Sequence, residues 1–171
     1  MTSVTAIRPE PRCGERCPLL TPLAWPAHKP TPRHLHRLLA SLANLLDAVG
    51  AAHRLATEFA ALADPPAQGW AAALKTVDVA AVDATDTAAL TRQLTDHDLD
   101  EAAEHLRRGL EHRLQVLQLL RRAIRAEQFA ALDHHHVAGL LAAVINGLDQ
   151  AGRSLAAADH TITTAAWKDR L

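Results

Sequence analysis

From residue 31 onward, apolar residues recur alternately three and four positions apart, in four successive stretches. A helix turns once every 3.6 residues, so this spacing places the apolar side chains along one face of each helix. The first stretch is uninterrupted and comprises Leu35, Leu38, Leu42, Leu45, Val49, Ala52, Ala56, Phe59 and Ala63. A strand would alternate with a period of two. The pattern therefore predicts an all-α chain in which long helices pack through their apolar faces.

The composition agrees with helices rather than strands. Hydrophobic residues make up 49% of the chain, but aromatic residues make up only 3% and tyrosine is absent. The apolar residues are mostly Ala and Leu, which lose least on entering a helix. A β-rich domain would need more Val, Ile, Thr and aromatic residues, and more turn-forming residues.

Capping residues and prolines suggest where the helices begin and end. Thr31-Pro32 suits a helix start, Asp64-Pro65-Pro66 a helix end, and Asp133 a cap for the last helix. Thr95 with Asp98 resembles a capping box. We expect helices at about 32–63, 67–95, 97–128 and 134–167. With short connections, such helices predict an up-down-up-down bundle of about four long helices.

The second of these helices contains a weak point. Thr91 and Thr95 fall where apolar residues are expected, and Asp83 to Thr87 are rich in residues that compete for backbone hydrogen bonds. We expect a kink near 84–87 rather than a loop. The last helix contains three glycines, Gly139, Gly147 and Gly152. Each either weakens the helix by about 1 kcal/mol relative to Ala or allows close approach of a neighbour.

The chain divides into an arm, 1–30, and one domain, 31–171, whose length suits a single hydrophobic core. Six prolines within the first thirty residues favour a flexible or extended arm. Either this arm is disordered, or its apolar residues dock on the bundle or on a partner. Those residues are Leu19, Leu20, Leu23 and Trp25.

Location and source are expectations from composition. The start of the chain has no apolar segment typical of a signal peptide, and charge interrupts every long apolar pattern. We therefore expect a cytoplasmic protein without membrane insertion, with Cys13 and Cys17 reduced. Arginine far outnumbers lysine, which suggests a GC-rich bacterial genome.

Eleven histidines raise the question of a metal site. The sequence contains neither Glu-x-x-His nor His-x-x-x-His, the spacings that place two ligands on one helical face, so we expect no built-in cofactor. The triplet His134, His135 and His136 is a weak candidate for metal or proton binding. Cys13 and Cys17 could form a zinc site only with help from residues such as His28 and His34.

Five arginines share the predicted outer face of the third helix: Arg107, Arg108, Arg121, Arg122 and Arg125. They form either an ordinary solvated face or a weak patch for phosphate or an acidic partner. Asp100, Glu104 and Glu111 lie among them. The net charge of −1 offers no strong case for nucleic acid.

Arg113 occupies a heptad position that should be apolar. A guanidinium there must be paired, reach solvent, or meet another subunit. We expect a buried or interface charge, with Asp78 or Asp83 of the second helix as its partner.

The sequence contains no nucleophile elbow, P-loop, dinucleotide fingerprint or paired-cysteine motif, so no catalytic residue is predicted. The leading hypothesis is a non-enzymatic helical bundle that binds a protein partner or forms a homo-oligomer. The first alternative is a nucleic-acid-associated accessory protein that uses the arginine face. The second alternative is a metal- or pH-responsive bundle that uses the histidines.

Overall fold

A computed structural model describes residues 31–62, 69–83, 85–129 and 133–168. These ranges contain five helices and no strand: α1 (Pro32–Ala60), α2 (Trp70–Ala81), α3 (Thr87–Asp96), α4 (Asp100–Phe129) and α5 (His134–Lys168). The all-α prediction is confirmed, and the predicted arm, 1–30, lies outside the described residues. Within those ranges, no helix combines the length and apolar character needed to cross a bilayer.

The helices pack around one core. α5 packs against α1 and α4, while α2 packs against the same two helices and α3 contacts α4 more than α1. In α1 and α5, the residues predicted from the three-four spacing fill this core. They are Leu35, Leu38, Leu42, Leu45, Val49, Ala52, Ala56, Val137, Leu141, Val144, Leu148, Ala151, Leu155, Ala158 and Ile162.

The count of helices differs from the prediction, because the helix expected at 67–95 is two helices. Val82 is extended, and Asp86, also in an extended conformation, caps α3 by accepting a hydrogen bond from the Ala89 amide at 2.9 Å. Between them, Asp83 accepts from both the amide and the hydroxyl of Thr85, at 3.0 and 2.8 Å. These side chains satisfy the backbone outside a helix, so the chain breaks where a kink was expected.

Two of the predicted caps, at Asp133 and at Thr95 with Asp98, have different outcomes. Asp133 caps α5 as predicted, because its Oδ1 accepts a hydrogen bond from the His136 amide at 2.8 Å. Thr95 instead lies in the last turn of α3, with its hydroxyl donating to the Thr91 carbonyl at 3.2 Å. Asp98 then adopts a left-handed conformation with φ 56°, and α4 begins at Asp100 rather than at about 97.

Candidate interaction surface

An open groove of about 460 Å³ runs between α1 and α5 on the outside of the bundle. Its apolar lining consists of Leu46, which is partly buried, above the buried Val49 and Leu148. Gly50 of α1 and Gly152 of α5 line the same groove and add no side chain to it. The groove therefore combines an apolar surface with two points at which a neighbour can approach the backbone.

These two glycines are not required by the packing within the chain. A Cβ built on Gly50 meets nothing closer than an Arg54 nitrogen at 3.7 Å, and one on Gly152 meets Val49 at 3.8 Å. Both are ordinary van der Waals distances. Glycine inside a helix costs about 1 kcal/mol relative to alanine, so the bundle would be more stable with alanine at either position.

Two other glycines are required by the packing between α4 and α5. A Cβ on Gly109 would lie 2.8 Å from Leu155 and 3.2 Å from the Ala151 carbonyl. A Cβ on Gly147 would lie 2.5 Å from Val116. The close approach that the sequence suggested at Gly147 is confirmed, whereas a Cβ on Gly152 would have room.

Arg54, Asp149 and Arg153 bring charge to the lining of the groove. Arg153 pairs with Asp149 one turn earlier on α5, at 2.6 Å. On α1, Asp47 and Arg54 are exposed, and neither makes an ion pair with any described residue. Asp47 and Arg54 are seven residues apart, so they lie two turns apart on one face of the helix.

The arginine face of α4 is largely neutralised by its own carboxylates. Glu104 accepts from Arg107 and from Arg108, each at 2.9 Å, and Glu111 also pairs with Arg107. Hydrogen bonds from Arg107, which has the larger effect, and from Arg108 lower the pKa of Glu104 to about 2. The hydrogen bond between Arg107 and Glu104 also raises the pKa of Arg107. The side chains of Glu104, Arg107 and Arg108 are well exposed to solvent, so each of these ion pairs adds little to the stability of the fold.

The remaining arginines of this face do not form a common patch. Arg121 lies 3.3 Å from Oδ1 of Asp78, a carboxylate that is only 17% exposed. Among the described residues, this Oδ1 accepts no hydrogen bond. The Arg121 guanidinium therefore compensates the charge of the Asp78 carboxylate without an aligned hydrogen bond to that oxygen. Arg122 and Arg125 are exposed and make no ion pair in the described part of the chain.

Arg113 does not pair with Asp78 or Asp83 as expected. Its Nε donates to the Ala81 carbonyl at 2.7 Å, at the C-terminal end of α2, where carbonyls lack a partner within the helix. Burial lowers the pKa of Arg113, and the nearby charge of Asp83 opposes that shift. The arginine thus caps α2 from α4, at the break that the sequence did not predict. Asp78 is engaged by Arg121, and Asp83 by Thr85.

The histidine triplet lies at the start of α5, where His136 contacts the capping residue Asp133. The Asp133 carboxylate contacts Nδ1 of His136 at 2.7 Å and accepts a hydrogen bond from the His136 amide. Both contacts lower the pKa of Asp133, and the hydrogen bond from the amide has the larger effect. His135 is exposed, and the side chain of His134 lies outside the described part. Among the residues described, no three His, Cys, Asp or Glu side chains are placed to hold a metal. Cys13, Cys17 and His28 lie outside that part, and His34 stacks against His97 at 5.4 Å.

Several large apolar residues are exposed near the break after α2. Val79 is 63% exposed, Val82 50% and Leu114 52%. Val82 and Leu114 each follow a residue of the Arg113–Ala81 contact, so they lie close to that contact on their respective segments.

Comparison with known proteins found no matching family model, and no match among curated proteins or solved structures. The groove was missed by sequence reasoning, although Gly50 and Gly152 interrupt otherwise Ala- and Leu-rich helices. That signal alone did not distinguish them from Gly147, since the difference depends on the neighbouring helix.

Proposed function

We propose that this chain is a non-enzymatic interaction module that binds another protein chain through the α1/α5 face. We define that face as the groove together with Asp47, Arg54 and Glu58 on the outer side of α1. In this proposal the bundle is up-down-up-down, with α2 and α3 sharing the second position, and it serves as a rigid support for the face.

The observation that carries the proposal is the pair of glycines whose cost the fold does not explain. Gly109 and Gly147 admit a neighbouring helix of the same chain. Gly50 and Gly152 leave comparable backbone open to the outside, beside apolar Leu46 and Leu148. A helix or loop from another chain can use this space, since small residues at a helix surface allow close backbone approach.

The two alternatives have less support. A nucleic-acid-binding face needs cations that are free to meet phosphates, but Arg107, Arg108 and Arg121 already contact carboxylates. A metal-responsive bundle needs ligands that converge, and His136 is instead engaged with Asp133.

The test is to fill the groove with a larger side chain and to measure whether partner binding is lost. Gly152→Leu places an apolar side chain in the groove. Gly139→Leu is the matched control on the same helix, because a Cβ at Gly139 has nothing within 4 Å. Tagged wild-type and variant chains are compared for capture of partners from the source cytoplasm and for self-association in sedimentation.

We expect Gly152→Leu to lose the partner that the wild type binds, and Gly139→Leu to keep it, with equal helix content by circular dichroism. Binding that both variants retain would contradict the proposal. A wild type that neither captures a partner nor self-associates would also contradict it.

A further inference from the structure

The outer face of α1 has a palindromic arrangement of charge and size. Asp47 and Arg54 lie at equal distances on either side of the Gly50-Ala51 peptide, with opposite charges. Further out, Ala40 and Ala61 are also equidistant from that peptide, and both are exposed. When two copies of such a helix run antiparallel about that peptide, Asp47 of each copy meets Arg54 of the other.

We propose that the occupant of the α1/α5 face is a second copy of this chain, with the two α1 helices antiparallel about a twofold axis at Gly50-Ala51. The inference rests on the proposed function, because it names the partner for the same face. In this register Asp47 pairs with Arg54 of the second copy, and the same pair recurs on the other side of the axis. Isologous contacts of this kind are the commonest in homo-oligomers.

Charge selects the antiparallel orientation. In a parallel, in-register pair, Asp47 would face Asp47 and Arg54 would face Arg54, and like charges in contact are unfavourable. Within the described part of the chain, Asp47 and Arg54 have no ion-pair partner, so each is available to the second copy.

Size permits the approach at the axis. Gly50 meets Ala51 of the second copy in this register, and Ala43 lies on the same exposed side of α1. With only hydrogen or methyl side chains at the crossing point, the two helices can approach closely. Within the chain, the nearest atom to a Cβ built on Gly50 is an Arg54 nitrogen at 3.7 Å, which is the end of a flexible side chain.

The overlap of the two copies sets the size of the interface. α1 ends at Ala60, so a twofold axis at Gly50-Ala51 overlaps residues 41–60 of the two α1 helices over about 30 Å. Two packed helices present a face about 20 Å wide. The α1/α5 face therefore offers about 600 Å² per copy, the lower end of the size range of specific interfaces.

The experiment exchanges the charges and measures mass by sedimentation equilibrium over a range of protein concentrations. Asp47→Arg places Arg against Arg twice in the dimer, and Arg54→Asp places Asp against Asp twice. We expect the wild type to dimerise and either variant alone to raise the dissociation constant roughly tenfold or more. An equimolar mixture of the two variants should dimerise again, because each contact then joins opposite charges.

Arg92→Asp is the control, since it reverses an exposed charge on α3 and should leave dimerisation unchanged. Circular dichroism confirms that each variant is folded, and recovery in the mixture shows that neither single change acts through misfolding. A wild type that remains monomeric, single variants that still dimerise, or a mixture that stays monomeric would overturn the inference. A monomeric wild type whose partner capture is lost in Gly152→Leu would overturn the inference alone and leave the proposed function standing.

Discussion

Four of the five glycines inside the described helices differ in what a side chain would meet. A Cβ on Gly109 or Gly147 would collide with side chains of the opposite helix, whereas a Cβ on Gly50 or Gly152 would make only ordinary van der Waals contacts. From the sequence, a helical glycine signals either a cost or a close approach. Only the position of Val116 beside Gly147, and the absence of such a neighbour beside Gly152, separates the two meanings.

Alanine substitution should therefore have opposite effects at two positions of α5. Gly152→Ala should raise the free energy of unfolding by up to about 1 kcal/mol, through helix propensity. Gly147→Ala should lower it by about 1–3 kcal/mol, because its Cβ would force Val116 to move in a packed interface. Urea denaturation of both variants checks this, and equal changes of the same sign would contradict the assignment.

Arg113 shows how far a sequence anomaly can be interpreted. A cation in an apolar heptad position predicts a compensating partner, and the structure supplies one. The partner is the Ala81 carbonyl rather than a carboxylate, because α2 ends there and leaves its last carbonyls open. The end of α2 could not be predicted from the spacing of Arg113, so the partner could not be predicted either.

A double-mutant cycle separates the two accounts of Arg113. Arg113→Met should lower the free energy of unfolding by about 1–3 kcal/mol, because it strands the Ala81 carbonyl. Its coupling with Asp78→Asn should stay within about 0.5 kcal/mol, as for sites that do not interact. The matched cycle of Arg121→Met with Asp78→Asn should show the larger coupling. A larger coupling of Asp78 with Arg113 than with Arg121 would restore the original prediction.

At the scale of elements, the three-four spacing predicted the long helices well but not the break between α2 and α3. The Asp and Thr residues at 83–87 indicated weakness there. Whether such residues kink a helix or end it depends on what satisfies the freed backbone groups. Here Asp83, Asp86 and the distant Arg113 all contribute, and only the first two are local in sequence.

The outer face of α4 should show its ion pairs in the pH dependence of stability. The pKa of Glu104 is about 2 in the folded state, against an ordinary value of 4.5. A lowered pKa contributes stability that is fully present above pH 4.5 and is lost as the pH falls towards 2. Glu104→Gln should therefore lose less stability than the wild type between pH 4.5 and 2, most clearly at low salt.

Thermal or urea unfolding across that pH range measures the effect. Asp96→Asn is the control, since Asp96 is exposed on α3 and makes no ion pair with the residues described. If Glu104→Gln and wild type lose stability in parallel, the contacts with Arg107 and Arg108 do not form in solution.

At the scale of the molecule, the fold was predictable and the surface was not. Burial follows the spacing of Leu and Ala along each helix, because a helix that exposes its apolar face gains nothing by forming. The groove depends instead on two glycines that are distant in sequence and come together only when α1 and α5 pack. A sequence pattern describes one helix at a time, so it cannot show such a juxtaposition.

The most direct test of the interaction face is an amide chemical-shift map of the ¹⁵N-labelled chain, recorded between low micromolar and millimolar concentration. If two copies pair through this face, the shifts should grow with concentration and should be largest at residues 43–58 of α1 and 149–156 of α5. Shifts centred on Arg107, Arg108 and Arg121 of α4, or around Val79 and Leu114, would place the interaction elsewhere. An unchanged spectrum up to millimolar concentration would contradict pairing of two copies through α1.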